Sequence, residues 1–152
     1  MRCHRRTIPL LLLAPIFLTF SGCDSSDSPT EPVFRSSVSL SASNASAETL
    51  WFRRWGPSSV FELRPGASVE FWWTRSTGTW ISPADGQFDV LLPMADGTVP
   101  GAAWATVQYH VDGVRPSSDL FITVYLSIDA SRSLVVTSDN PELFHVVRVT
   151  YP

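Results

Sequence analysis

The stretch Leu120–Ile128, LFITVYLSI, alternates between two kinds of side chain. Successive side chains of a β-strand point to opposite faces of the sheet, so one face of this stretch is wholly aliphatic. That face consists of Leu120, Ile122, Val124, Leu126 and Ile128, and the other carries Phe121, Thr123, Tyr125 and Ser127. The pattern predicts a long strand with Val124 at the centre of its buried face.

The same period of two continues in both directions from this stretch. Towards the N-terminus, short alternating runs are interrupted by Gly, Pro, Asn and Asp, and they lie at 38–41, 50–53, 60–63, 68–74, 79–81, 88–92 and 104–111. Towards the C-terminus, two more follow at 133–137 and 143–151. About ten short strands separated by turns predict an all-β fold, an antiparallel β-sandwich.

One part of this region resembles the first half of many immunoglobulin-like sandwiches. A strand precedes Asn44, another follows it, and the sequence Phe61-Glu62-Leu63-Arg64-Pro65-Gly66 then leads into a further strand. The resemblance implies an immunoglobulin-like or similar arrangement of strands, and it implies no function.

The N-terminus has the order of residues that is typical of an export signal. Arg2, Arg5 and Arg6 precede the apolar run Ile8–Phe20, and the first acidic residue is Asp24. The apolar run is shorter than the roughly 20 residues with which a helix crosses a bilayer. It matches the apolar region of a signal peptide.

The residues Ser21-Gly22-Cys23 resemble the lipobox of bacterial lipoproteins, in which small residues precede a cysteine. The resemblance implies cleavage before Cys23 and attachment of lipid to its thiol. The chain would then be anchored to membrane lipid on the extracytoplasmic side of a bacterial cell envelope. Phe20 departs from the pattern, since Leu, Val or Ile is usual there. Secretion with a free Cys23 and retention in the cytosol are the alternatives, and inner versus outer membrane stays open.

These features divide the chain into a signal peptide (1–22), the lipidated Cys23 with a flexible tether (23–32) and a β-sandwich domain (33–152). The tether is polar, acidic and proline-containing, so it has little to bury and we expect it to be disordered. After removal of the signal, eight arginines and no lysine face fourteen acidic side chains, a net charge of −6. This balance argues against binding to nucleic acid, which depends on Lys and Arg.

The processed chain offers few groups for catalysis or metal binding. It lacks a lysine amine, and Cys23, its one cysteine, would carry the lipid. A catalytic triad needs a histidine, and only His110 and His145 remain. A metal site would require both rings to converge with a carboxylate such as Asp112. We therefore expect no enzyme activity, no cofactor and no metal, with a small hydrolase as the minor alternative.

Tryptophan is the unusual feature of the composition, with six residues after the signal. Alternation places Leu50 and Phe52 inside the fold, so that Trp51, Arg53 and Trp55 face outward. Exposed tryptophan beside arginine suits stacking on sugar rings, and it equally suits the anchoring of a protein partner. The alternative is that other parts of the domain cover these rings.

Alternation in the 68–74 run places Val69, Phe71 and Trp73 on a buried face and Trp72 on the outer face. Trp72 would join Trp51, Arg53 and Trp55 in one candidate ligand-binding surface if the two strands shared a sheet. In an immunoglobulin-like arrangement it would lie apart from them. The sequence thus predicts an envelope lipoprotein whose sandwich binds or scaffolds an envelope protein or glycan. The main alternative is a carbohydrate-binding module.

Overall fold

The computed structural model describes residues 36–55, 59–76, 80–99, 101–115 and 118–152. The predicted signal peptide, Cys23 and the tether lie outside these ranges. Nine strands form the regular structure of the described residues: β1 (Ser36–Asn44), β2 (Leu50–Arg54), β3 (Val60–Leu63), β4 (Ser68–Ser76), β5 (Ala84–Leu91), β6 (Ala105–Val111), β7 (Leu120–Ile128), β8 (Leu134–Ser138) and β9 (Phe144–Thr150). Within these ranges, no helix is long and apolar enough to cross a membrane.

The strands form two sheets that pack face to face, which confirms the predicted all-β sandwich. The four-stranded sheet has the order β4-β1-β7-β8, and the five-stranded sheet has the order β3-β2-β5-β6-β9. Neighbouring strands are antiparallel except β1 and β7, which run parallel. The order differs from that of immunoglobulin constant domains, in which the first strand pairs with the second. Here β1 lies between the fourth and the seventh strands.

The core lies between the sheets and contains the residues that alternation placed inside. Leu50 and Phe52 of β2 are fully buried, and so is Val124 at the centre of β7. Alternation in β1 buries Val38, Leu40 and Ala42. The predicted aliphatic face of Leu120–Ile128 is therefore confirmed, with its two end residues partly exposed.

Aromatic rings from both sheets meet at the centre of this core. Phe71 of the four-stranded sheet contacts Phe52 and Phe88 of the five-stranded sheet, with ring centroids 5.2 and 5.4 Å apart. Tyr109 stands edge-on to Phe71 at 5.7 Å and stacks on Phe144 at 5.3 Å. Such pairs contribute about 0.5–1.5 kcal/mol each beyond the area that they bury.

Of the run 79–81, residue 79 lies outside the described residues. The strand prediction is wrong for the other two, since Trp80 belongs to no strand and Ile81 makes only an isolated bridge to Val114. This short segment has no room for a ladder, because it lies between the end of β4 and Pro83, which cannot donate a backbone hydrogen bond.

A β-bulge in β4 overturns the predicted faces of two tryptophans. Leu40 pairs with Trp72 and Ser41 pairs with Glu70, so Phe71 is an extra residue in the ladder. A bulge reverses the alternation beyond it. Trp72 consequently faces inward and packs against the core, whereas Trp73 is 51% exposed. The predictions of a buried Trp73 and an outward Trp72 were both wrong.

Candidate functional site

The outer face of the five-stranded sheet carries three polar cross-strand pairs between β5 and β6. They are Asp89–Thr106, Gln87–Gln108 and Asp85–His110. Because alternation buries Phe88, Val90 and Val107, these six side chains face away from the core. The predicted outward residues of β2 lie on this same face.

Arg53 faces outward as predicted and forms an ion pair at one end of the polar surface. Its Nη2 and Nε donate to Asp89 Oδ2 at 2.7 and 2.9 Å, and its Nη1 donates to the carbonyl oxygen of Gly101 at 3.0 Å. Thr106 Oγ1 donates to the other Asp89 oxygen at 2.7 Å. These bonds use three of the five N–H donors of the guanidinium and hold it against the sheet.

Trp55 lies just after β2 and is 71% exposed, the most exposed of the large hydrophobic side chains described. It lines an open cleft of about 400 Å³ with the carboxylate of Asp85 and the amides of Gln87 and Gln108. The two glutamines are directly opposite each other across β5 and β6. A large exposed ring thus shares one cleft with three side chains that can form hydrogen bonds, and we call this feature the Trp55 cleft.

Two features of the backbone shape the floor and wall of the Trp55 cleft. Gly86 pairs with Tyr109, and a Cβ atom at Gly86 would lie 2.2 Å from the Tyr109 hydroxyl oxygen, so only glycine leaves room for the ring. Burial raises the pKa of Tyr109 to about 12.

A second bulge, in β9, places Val147 outside the regular pairing of Gln108 with Arg148 and of Tyr109 with Val146. Val147 is exposed and lines the cleft.

Beside the cleft, two histidines and two carboxylates form a network of two hydrogen bonds joined by one ion contact, which we call the His110 network. Asp85 Oδ1 lies 2.7 Å from His110 Nδ1, and His110 Nε2 lies 3.1 Å from Asp112 Oδ1. Asp112 Oδ2 lies 2.9 Å from His145 Nε2. His110 and His145 are also directly opposite each other on β6 and β9.

The charges of the side chains in the His110 network stabilise one another. The hydrogen bond to Asp85 raises the pKa of His110, and the charges of Asp85 and Asp112 act in the same direction. The hydrogen bond from His145 lowers the pKa of Asp112. Both ring nitrogens of His110 thus face carboxylates, an arrangement that favours the doubly protonated imidazolium. No group of three such side chains in the described ranges has an arrangement that could hold a metal ion.

The remaining two predicted site residues do not line the Trp55 cleft. Trp51 lies on the same strand as Arg53 but is half-buried, between Glu62 of β3 and Leu91 of β5. No acceptor among the described residues reaches its Nε1. Trp72 belongs to the four-stranded sheet and lines a different cleft, of about 330 Å³. The structure therefore brings Arg53 and Trp55 to one face and separates Trp72 from them.

The polar side of the Trp55 cleft was missed by the analysis of the sequence. Gln87 and Gln108 neighbour buried Phe88 and Val107, so alternation alone indicates that they face outward. Their convergence depends on the register of β5 against β6, which alternation does not contain.

Comparison of the chain with models of protein families, with curated proteins and with solved structures finds no match. A function for this protein is therefore inferred from the chemistry of its surfaces.

Proposed function

We propose that this protein is a lipid-anchored, noncatalytic component of a bacterial cell envelope whose β-sandwich binds carbohydrate through the Trp55 cleft. The anchoring part of the proposal is supported by the order of cationic, apolar and small residues before Cys23. The binding part is supported by one observation: an exposed tryptophan lines the same cleft as two opposed glutamines and an aspartate.

The chemistry of this arrangement suits a sugar ring. The face of an indole ring carries partial negative charge, which attracts the C–H groups on one side of a pyranose. Amide and carboxylate groups then bind hydroxyls, and the cost of leaving them unpaired makes such contacts selective. Each glutamine amide also offers a donor and an acceptor together, which matches the acetamido group of an N-acetylated sugar. We therefore expect N-acetylated sugars to bind better than their hydroxyl analogues.

A protein partner is the competing occupant, because exposed tryptophan also anchors protein interfaces. The cleft is concave, and it sets two exposed apolar side chains, Trp55 and Val147, beside the polar side chains of Asp85, Gln87 and Gln108. This mixture favours a small polar ligand over a flat protein face.

The test compares two ligands that differ in the acetamido group. Full-length protein in mild detergent is titrated with chitotriose and with cellotriose, and binding is followed by calorimetry. We expect chitotriose to bind more tightly, and Trp55→Ala or Gln108→Ala to weaken it at least about tenfold, as loss of roughly 1.4 kcal/mol would. Met94→Ala, an exposed apolar residue that does not line the cleft, is the matched control. The proposal would be refuted if neither ligand bound, or if Trp55→Ala bound chitotriose as tightly as the wild type does.

A further inference from the structure

The outer face of the four-stranded sheet presents large aromatic rings to solvent. Phe121 of β7 is 70% exposed and Trp73 of β4 is 51% exposed. Trp73 lies in the interior of β4 and Phe121 is the second residue of β7, and on the outer face of a strand a side chain that serves only the fold would be polar or covered. Between them, on β1, lies a strip of serines at positions 37, 39, 41 and 43.

The register of the sheet fixes how these rings are spaced. Ser39 pairs with Trp73 on one side and with Phe121 on the other. The backbones of the two aromatic residues are thus two interstrand spacings apart, roughly 10 Å. This separation is close to the length of one disaccharide unit in an extended chain of pyranose sugars. We call Ser39, Glu70, Trp73 and Phe121 the aromatic platform.

A carboxylate is held at Ser39, the residue that pairs with both Trp73 and Phe121. Ser39 Oγ donates to Glu70 Oε2 at 2.5 Å, which positions this exposed carboxylate on the outer face of the sheet. At the end of the serine strip, the Ser37 hydroxyl and backbone N–H donate to Asp119 Oδ1 at 2.5 and 3.1 Å. Carboxylates fixed by serines next to exposed rings can accept hydrogen bonds from sugar hydroxyls while the rings stack on the sugar faces.

Charge on this face selects among extended glycans. Glu70 and Asp119 contribute negative charge, and the guanidinium of Arg75 is placed over the Trp73 ring, 5.2 Å from its centroid. Close carboxylates repel a polyanionic chain. The occupant that fits the spacing, the hydrogen-bonding groups and the charge is an uncharged polysaccharide.

From this geometry we infer that the aromatic platform is a second carbohydrate site, which binds an extended neutral glycan chain across the strands of the four-stranded sheet. The site lies on the other sheet from the Trp55 cleft and does not depend on it. Chain length should matter here, because a ligand must reach both Trp73 and Phe121 to gain both stacking contacts.

The experiment uses full-length protein in mild detergent, with cellobiose, cellotetraose, cellohexaose and mannohexaose as neutral probes and polygalacturonate as the anionic probe. We expect affinity for at least one neutral series to rise steeply from two to four or six sugars and polygalacturonate not to bind. Trp73→Ala and Phe121→Ala should each weaken hexaose binding about tenfold. Trp55→Ala should leave it unchanged, and Trp73→Ala should leave chitotriose binding unchanged.

Three outcomes would overturn the inference. The first is failure of every neutral hexaose to bind, and the second is unchanged binding by the Trp73→Ala/Phe121→Ala double variant. The third is a wild-type protein that binds no glycan but associates with itself, together with a double variant that does not associate. The face would then be a contact between copies of this chain. Circular dichroism and urea unfolding of each variant establish that a loss of binding is not a loss of fold.

Discussion

Trp72 and Trp73 are consecutive residues of one strand, yet the first packs against the core and the second faces solvent. Their cross-strand partners lie on the same two faces of the sheet: Leu40 belongs to the core, and Ser39, although only 3% exposed, belongs to the outer face, where it donates to Glu70. The bulge at Phe71 produces this order. Without the extra residue, the two indole rings would exchange faces.

The two tryptophans should therefore contribute very differently to stability. Trp72→Ala removes a ring that packs against the core, and we expect a loss of about 2–3 kcal/mol, below the value for a fully buried tryptophan because Trp72 is partly exposed. Trp73→Ala should cost less than about 1 kcal/mol, since it loses mainly the contact with Arg75. Urea unfolding followed by far-UV circular dichroism measures both. Equal losses in the two variants would contradict the bulge at Phe71.

Gly86 gives a second test of packing, at the floor of the Trp55 cleft. In Gly86→Ala, the new methyl group would lie 2.2–2.3 Å from the Tyr109 hydroxyl oxygen and Cζ. Tyr109 cannot move cheaply, because its ring is held among Phe71, Phe88 and Phe144. We expect a loss of about 1–3 kcal/mol in the free energy of unfolding, the usual cost of overpacking.

The control for this variant is Gly101→Ala, because a Cβ atom at Gly101 meets nothing within 4 Å. It should leave the unfolding midpoint almost unchanged. If the two glycine variants were equally stable, Tyr109 would not lie against Gly86 as described.

The anchoring prediction concerns the N-terminal region, which the sequence alone addresses. Cys23→Ala removes the thiol that would receive lipid. The protein should therefore either leave the membrane fraction for the soluble fraction or accumulate as a precursor that retains its signal peptide. Fractionation of cells and mass spectrometry of the wild-type N-terminus measure this directly. Cys3→Ala is the matched control and should behave as wild type. Membrane association and mobility that are unchanged in Cys23→Ala would show that the cysteine is not the anchor.

The fold could be predicted because its strongest signals are local. Alternation in Leu120–Ile128 identifies the buried face directly, and the structure has Val124 at its centre. The outward direction of Arg53 and Trp55 follows in the same way from buried Phe52. Each of these inferences needs only neighbours in sequence.

The remaining features depend on contacts that are distant in sequence. The bulge at Phe71 arises from pairing with β1, about thirty residues away, and no local pattern announces it. Asp89 neutralises Arg53 only because β2 pairs with β5. The convergence of Gln87 with Gln108 likewise depends on strand register. The position of Trp55 was therefore predictable, whereas the rest of its cleft was not.

The His110 network makes the free energy of unfolding depend on pH. Folding raises the pKa of His110. The protonated ring therefore stabilises the fold fully at pH values below about 6.5, the ordinary pKa of histidine, and this contribution disappears as the pH rises through the pKa of His110 in the folded protein. The folded state lowers the pKa of Asp112, so its contribution is present above about 3.9 and disappears as the pH falls through the folded value. Both contributions are fully present only at pH values between the ordinary pKa of an aspartate and that of a histidine.

We therefore expect His110→Gln to destabilise the protein more at pH 5.5 than at pH 8.5, as measured by urea unfolding at both values. NMR titration should show that His110 loses its proton above the pH at which a free histidine does. Asp85→Asn should bring this midpoint down, because the hydrogen bond to Asp85 is the largest cause of the shift. Asp96→Asn removes an exposed carboxylate whose partner is Thr98, and it should leave the titration of His110 unchanged. A His110 midpoint at or below that of free histidine in the wild type would mean that the ring does not bridge Asp85 and Asp112 in solution.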